Sequence, residues 1–321
     1  MNKSASLAAA CLAAIMIAWS GPAVWSQTRT IKIVVPYTPG SGPDIISRLM
    51  ADEIGRGQGP SMVVENRPGG GTVIGTEAVA RAAPDGNTVL LVANAFVVNP
   101  ALKKGNYDPT TSFEPVCELA ATPIVLVVNG DSPYRTVADL IAAARAKPGQ
   151  LSLASGGPAT SLHVAFEVLK RAANIDMTYV PYGGSGPAIN TLMGGHVTSV
   201  FADYPTVVEQ LKSGRLRALL TTARTRPEPL PDVPTLAETG ISPYEADIFY
   251  GVMAPAKTPP EQLAQLIGWF TGAMKGDGMK ARLGAQGLYP ALRCGPEFGA
   301  YLRKQVEDYT RVVRESNIKA E

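Results

Sequence analysis

IKIVVPYTPGSGPD, residues 31–44, joins a strand rich in β-branched residues to a turn of glycine and proline that leads into a helix. The strand runs from 31 to 35, and Pro43 and Asp44 open the helix, because proline suits the first helical turn and an acid complements the positive end of the dipole. A second such unit, LSLASGGPATS at residues 151–161, restarts the pattern in the middle of the chain. Repeated strand–turn–helix units predict an α/β fold.

The remaining segments continue the alternation of short apolar strands and helices. Strands are predicted at 62–65, 87–92, 124–128, 177–180, 197–201, 217–222 and 248–254, and helices at 72–81, 137–146, 161–172, 185–194, 204–213, 260–275 and 297–314. The segment after residue 254 contains no predicted strand, so we expect it to pack back on the first part of the chain. We therefore predict two α/β lobes, residues 27–122 with 251–321 and an inserted lobe 123–250. Two crossing strands near 123 and 250 would form a hinge beside a ligand cleft.

The first 26 residues have the pattern of a secretory signal, with a basic start and an apolar run at 7–18 that is too short to cross a bilayer. We predict cleavage after Ser26, with Ala23 as the alternative, and a periplasmic mature protein. Cys11 lies inside the apolar run rather than after it, which argues against a lipid anchor.

The composition excludes several classes of partner. Removing Lys3 with the signal leaves 28 of the 29 basic residues against 27 acidic ones, so the mature chain is nearly neutral and nucleic acid is an unsuitable partner. Zinc-type spacing is absent and no cofactor is predicted. The mature chain keeps Cys117 and Cys294, which either form a disulfide in an oxidising compartment or remain two half-buried thiols.

Two turns carry most of the functional signal because each places small residues at the start of a helix. The free N–H groups there and the helix dipole favour an anion, and glycine lets the anion approach the backbone. The candidate ligand residues in these turns are Gly40, Ser41, Gly42, Pro43, Asp44, Ser155, Gly156, Gly157, Ala159, Thr160 and Ser161. An ordinary strand–helix connection is the alternative for each turn taken alone. Together they lie at carboxyl ends of strands, where open α/β sheets bind ligands.

Four further side chains are candidates for the wall of the cleft. Tyr37, Phe96 and Tyr182 stand at strand ends or in loops, where core packing would explain each of them equally well. Asp203 lies just past a strand end of the inserted lobe and is either a cleft residue or a solvated loop acid. Asp44 has its own alternative, since an acid at a helix start also complements the dipole.

The phosphate-loop and nucleophile-elbow motifs each lack a required residue in this sequence. Residues 70–75 have the spacing of a phosphate loop, but Thr76 and Glu77 stand where a lysine and a hydroxyl residue are required. Ser185 does not sit in a nucleophile elbow, because Pro187 replaces its second glycine. His163 and His196 have no carboxylate or thiol placed beside them by any pattern, and structural roles are the alternatives for both.

Ordered motifs run through the chain from residue 31 onward. They are VPYTPG at 35–40 with Asp44 and Arg48, VENRPGGG at 64–71 with Ile74 and Gly75, PDGNT at 84–88, YDP at 107–109, VPY at 180–182, Gly194-Gly195, Ser213-Gly214, and PDVPT at 231–235 with Glu238 and Gly240. In the identity and order of these motifs the chain resembles the tripartite tricarboxylate transporter receptors, also called the Bug solute-binding proteins.

The resemblance implies a periplasmic-binding-protein fold of two lobes and no catalytic activity. It implies that a monomeric receptor captures a small organic carboxylate and delivers it to a membrane permease of one large and one small subunit. It also implies that the carboxylate rests against residues 40–44 and 155–161 through backbone amides, hydroxyls and bridging waters.

Two stretches depart from the family pattern. Ser41 replaces the second glycine. Residues 198–203 differ from the family's Asp-x-x-Phe-Asp-Asn, because Thr198 and Ala202, the latter directly after the phenylalanine, both lack the expected acid. Loss of the acid at position 202 would remove a charge that attracts an amino group and repels a second carboxylate. We therefore hypothesise an amine-free di- or tricarboxylate, aromatic ones included. Asp203 is a second candidate for the vacant place, which would weaken this hypothesis.

Three other functions compete with the receptor prediction. An exported hydrolase or lyase would need a nucleophile with a base, which the sequence does not supply. A regulatory ligand-binding domain would carry an N-terminal DNA-binding motif where this chain has an export signal. A receptor of the same fold that serves a sensor or another class of transporter is the remaining alternative, and gene neighbourhood would discriminate it.

Overall fold

The computed structural model describes residues 29–102, 105–157, 160–182 and 184–315. The predicted signal sequence, and Ala159 in the second turn, lie outside these residues. Within the described ranges no helix has both the length and the apolar character that a bilayer crossing requires.

Ten strands and ten α-helices make up the described parts of the chain. The strands are β1 Thr30–Val35, β2 Ser61–Asn66, β3 Thr88–Val92, β4 Phe113–Asn129, β5 Ser152–Ser155, β6 Thr178–Pro181, β7 Ser199–Asp203, β8 Leu216–Thr221, β9 Asp247–Pro255 and β10 Tyr289–Cys294. The helices are α1 Gly42–Arg56, α2 Val73–Ala80, α3 Ala95–Ala101, α4 Val137–Ala146, α5 Ser161–Ala172, α6 Ser185–Met193, α7 Val208–Lys212, α8 Pro260–Met274, α9 Met279–Gly284 and α10 Pro296–Glu315.

The strands form one mixed, curled sheet with two sections that share β4. In the first section the strand order is β2-β1-β3-β9-β4-β10, with β1 parallel to β2 and β3 and with β9 antiparallel to its neighbours. In the second section the order is β8-β4-β7-β5-β6, with parallel pairing among β5, β6 and β7. Residues 113–123 of β4 pair in the first section and residues 124–129 in the second.

Local sequence explains where several helices begin. Thr136 accepts a hydrogen bond from the backbone N–H of Asp139, and the Asp139 side chain accepts one in return, so a capping box starts α4. Thr160 caps α5 by accepting from the N–H of His163. Both helices keep the boundaries that the sequence predicts.

Hydrophobic packing on both faces of the sheet holds the first section together. Ile46 and Met50 of α1 and Phe270 of α8 are fully buried against one face of the strands. The long helix α10 packs on the other face, where Phe298 and Tyr309 are buried. A bridge between Cys117 and Cys294 joins β4 to β10, so the first of the two alternatives for these cysteines is correct.

The structure corrects four expectations about secondary structure. The segment after residue 254 does contain a strand, β10, which pairs antiparallel with β4. β4 begins at Phe113 rather than at 124, and the short helices α3 and α9 were not predicted. β10, the first half of β4 and α3 each contain proline, which weakens both strand and helix patterns in a sequence. The division into lobes at residues 123 and 250 stays a prediction.

Candidate functional site

The starts of α1 and α5 border a single cavity of about 380 Å³. Residues from both sections of the sheet line it: Tyr37, Pro43, Gly71, Thr72, Ala93, Asn94, Ala95, Val98, Asn99, Leu102, Thr160, Ser161, Leu162, Ile248 and Tyr250. A larger depression of about 540 Å³ lies between α5 and α10, but it includes neither of the two glycine-bearing turns. The smaller cavity is therefore the candidate site.

The first turn is organised by the carboxylate of Asp44. This side chain is 3 % exposed and accepts hydrogen bonds of 2.9 Å from the Gly40 N–H and from Asn66 Nδ2. Arg48 Nη2 lies 2.9 Å from the same carboxylate, one helical turn along α1. Asp44 therefore binds the turn, the helix and β2 together, and its contacts are with the protein itself.

Charge and hydrogen bonding decide the ionisation of Asp44. Burial by itself raises the pKa of this carboxyl, but the hydrogen bonds from Arg48, Gly40 and Asn66 outweigh it and hold the pKa below its ordinary value. Asp44 is therefore ionised at neutral pH.

Two tyrosines meet the start of α1. A Cβ at Gly42 would lie only 2.8 Å from Tyr250 Oη, so the absence of a side chain at Gly42 allows the hydroxyl to approach the helix. Burial and the neighbouring Tyr250 raise the pKa of Tyr37, and burial and the nearby Asp203 raise the pKa of Tyr250. Both phenols therefore keep their protons and can donate hydrogen bonds to an anion.

The second turn is held by its own hydroxyl groups. Thr160 Oγ1 donates to the Gly157 carbonyl at 2.9 Å while it caps α5. Ser155 Oγ lies 2.7 Å from Tyr179 Oη, which itself donates to the Gly157 carbonyl at 2.8 Å. The glycine carbonyl is thus turned toward Tyr179 and Thr160, and the helix start faces the cavity through Thr160 and Ser161.

Asp203 lies at the end of β7, beside the cavity rather than in its lining. Its carboxylate accepts a hydrogen bond from Ser185 at the start of α6. Burial raises the pKa of Asp203, and the Ser185 hydroxyl offsets only part of that effect. A raised pKa reduces the tendency of this group to repel an anion nearby.

Four of the sequence-predicted residues line the cavity, namely Tyr37, Pro43, Thr160 and Ser161. The others among the described residues are not part of its lining: Gly40, Ser41, Gly42, Asp44, Phe96, Ser155, Gly156, Gly157, Tyr182 and Asp203. Their part in binding stays a prediction.

The sequence did not predict that the turn at Gly71 and Thr72 lines the cavity. Both residues have positive φ angles, 62° and 84°, and a β-branched residue rarely adopts this backbone region. Asn99 Nδ2 fixes the turn by donating to the Gly71 carbonyl at 2.7 Å and to Thr72 Oγ1 at 3.2 Å. The run of three glycines at 69–71 was the available signal, since repeated glycine marks such backbone conformations.

Asn94 was also missed, and it ties three distant segments together behind the cavity. Its Nδ2 donates to the Asp247 carbonyl at 2.9 Å and to Tyr309 Oη at 2.8 Å. Its Oδ1 accepts from the Phe249 N–H at 3.0 Å. No local sequence pattern predicts these contacts, because the partners of Asn94 lie more than 150 positions away in the sequence.

Metal-type clusters and the histidine of α5 were the remaining candidates for chemistry. No cluster of three His, Cys, Asp or Glu side chains in the described ranges is placed to hold a metal ion. His163 stacks on Tyr179 of β6 with ring centroids 4.1 Å apart, and its Nε2 lies 3.7 Å from Glu167 of α5.

Comparison with known proteins identifies the family and the fold of the chain. Residues 46–318 match the model of the tripartite tricarboxylate transporter family receptor. The protein BugT of Bordetella pertussis is 32% identical over 294 residues, which cover 91% of this chain and 90% of BugT.

Two solved structures are similar over nearly the whole described chain. R. palustris Rpa4515 with adipate has a TM-score of 0.78 and 29% identity, covering 92% of this chain and 99% of that chain. MatC (Rpa3494) from Rhodopseudomonas palustris with bound malate has a TM-score of 0.74 and 27% identity, covering 89% and 99%. The fold is that of periplasmic solute-binding proteins, which confirms the predicted fold class.

Proposed function

This chain belongs to the tripartite tricarboxylate transporter family of receptors, and from that premise we propose that it captures a small organic carboxylate in the periplasm and delivers it to a membrane transporter. The family and the fold are those of binding receptors rather than enzymes. In the sequence prediction the ligand is an amine-free di- or tricarboxylate, aromatic ones included. The transporter has one large and one small membrane subunit, and the receptor acts as a monomer.

One observation carries the proposal: the starts of two long helices from different sections of the sheet line one cavity. Pro43 lies in the first turn of the 15-residue helix α1, and Thr160 and Ser161 start the 12-residue helix α5. Each helix start offers backbone N–H groups and the positive end of a dipole to an anion. The hydroxyls of Tyr37 and Tyr250 add neutral donors on the α1 side.

Capture would involve a change in the distance between the two sections. The sections meet at β4 and at the adjacent β9, where Pro123 pairs with Asp247. In the proposed mechanism these strands act as the hinge, and closure brings Thr160 and Ser161 against a carboxylate held at α1. Release to the membrane subunits would follow from reopening.

Isothermal titration calorimetry of residues 27–321 with benzoate, adipate, malate, citrate, glutamate and a sugar tests the proposal. At least one of the four amine-free carboxylates should bind, and glutamate and the sugar should not. If none of these four gives a heat of binding while the sugar or glutamate does, the proposed function is wrong.

A pair of matched variants separates binding from helix capping. Thr160→Ala and Thr136→Ala each remove an N-cap oxygen, at α5 and α4, and each should lower stability by about 1 kcal/mol. Of the two, only Thr160 lines the cavity, and its hydroxyl holds the Gly157 carbonyl and the first turn of α5 in place. Only its loss should therefore disturb the helix start that faces the ligand, and it should weaken carboxylate binding by about tenfold. Equal affinities in the two variants would count against the proposed site.

A further inference from the structure

We propose that the cavity selects a monocarboxylate with an apolar body the size of an aromatic ring, and that it discriminates against compact di- and tricarboxylates. This inference rests on the proposed function and narrows its substrate class. It differs from the di- or tricarboxylate that the sequence predicts.

Electrostatics of the cavity provide the first argument. Of the described residues that line it, none carries a charge. Among the described residues, the acid Asp44 follows the lining residue Pro43, and it is paired with Arg48, whose side chain is 55% exposed. Each ionised carboxylate that enters a closed cavity loses its hydration, and the described lining holds no cation to offset the repulsion between two or three of them.

The supply of hydrogen-bond donors provides the second argument. Asn94 and Asn99 are the only carboxamides in the described lining, and each already donates both N–H groups of its amide to protein acceptors. Thr160 donates its hydroxyl proton to Gly157. In the described lining the donors left for a ligand are the backbone N–H groups at the helix starts and the hydroxyls of Tyr37, Thr72, Ser161 and Tyr250, and none of them is charged.

The shape of the apolar lining provides the third argument. Beyond the helix starts the wall is made of aliphatic side chains that follow β3, lie on α3 or directly after it, or lie on α5 and β9: Ala93, Ala95, Val98, Leu102, Leu162 and Ile248. Leu102 and Leu162 are 8% and 6% exposed, so this wall is nearly closed to solvent outside the cavity. A volume of about 380 Å³ is near the lower limit of small-molecule sites. A ring packed on this wall gains hydrophobic stabilisation, whereas a second carboxylate there would lose its hydration and find no partner.

The test compares monocarboxylates that carry a ring with compact di- and tricarboxylates. Benzoate and cyclohexanecarboxylate are titrated into residues 27–321 by calorimetry beside malate and citrate. The expected result is that the two ring monocarboxylates bind at least about tenfold more tightly than malate or citrate. Malate or citrate binding more tightly than benzoate would overturn this inference and leave the proposed function intact. If no carboxylate binds, both fail.

A matched pair of variants at Ile248 tests the apolar wall directly. Ile248→Val and Ile248→Thr give side chains of nearly the same shape on β9, and only threonine adds a hydroxyl. Threonine should weaken benzoate binding about tenfold relative to valine, because the ring covers the hydroxyl and offers it no partner. Equal affinity for benzoate in both variants would show that the ring does not lie on this wall. Unfolding midpoints without ligand establish that both variants are folded.

Discussion

Replacing Glu118 by glutamine is expected to stabilise the protein above neutral pH. Glu118 lies in β4 with 0% exposure, and neither of its carboxylate oxygens accepts a hydrogen bond from the described residues. Burial raises the pKa of Glu118 to about 8, although the guanidinium of Arg293 acts in the opposite direction, and Asp247 and Glu297 add repulsion. Arg293 Nε lies 3.0 Å from Oε2, a distance typical of an ion pair. We give burial more weight than this distance, because the pair lacks the hydrogen bonds that would stabilise a buried charge.

The magnitude follows from the difference between the folded and unfolded pKa values. A carboxyl whose pKa is raised in the folded state binds a proton that the unfolded chain has released, so the free energy of unfolding falls as pH rises from 4.5 to about 8. About 3.5 pH units at 1.36 kcal/mol each correspond to roughly 5 kcal/mol. Glutamine resembles the neutral acid and never ionises. The variant should therefore match the wild type near pH 4.5 and exceed it by about 3 to 5 kcal/mol at pH 9.

Urea unfolding at four pH values between 4.5 and 9, followed by circular dichroism, measures this difference. Glu114→Gln is the control, because Glu114 lies on the same strand and is partly exposed. It should change stability little and with no such dependence on pH. A Glu118→Gln variant that is less stable than the wild type at pH 9 would refute the reasoning, since it would show an ionised Glu118 stabilised by Arg293.

Two further predictions concern the first turn and the disulfide. Asp44→Asn removes the charge that accepts hydrogen bonds from Arg48 and Asn66, and should lower the free energy of unfolding by about 2 kcal/mol at pH 7. Since the folded pKa of Asp44 is below 3.8, this contribution is complete above that value and disappears as pH falls through the folded pKa. The same deficit at pH 7 and pH 2.5 would contradict the argument. Replacing Cys117 and Cys294 by alanine opens a bridge across 177 residues, and loops of this length correspond to about 5 kcal/mol. A thermal midpoint equal to that of the oxidised wild type would argue against this value.

Local signals explain why much of the fold could be predicted. The helix α4 begins at Val137 because Thr136 and Asp139 form a capping box within four positions of one another. The helix α5 begins at Ser161 because Thr160 caps it. Such interactions join near neighbours, so the sequence shows both partners at once.

The missed elements depend on distant partners. The first half of β4 contains Pro115 and the buried Glu118, and neither residue is typical of a strand. This half nevertheless pairs with β9 along its whole length. β10 contains Pro290 and becomes a strand only against β4. Their hydrogen bonds come from segments more than 100 positions away, and no window of sequence contains both sides of the pair.

The sequence by itself determined the α/β class, the two glycine-bearing turns with their helix starts, and the resemblance to a receptor family. Only the tertiary structure decided that Pro43 and Thr160 line one cavity, that Ile248 and Tyr250 complete it, and that its described lining is uncharged. The physical reason is the sequence separation of the interacting residues. Strands, turns and helix caps are set by contacts between neighbours in the sequence. A cavity and its polarity arise where β-pairing brings together residues that are far apart in the sequence.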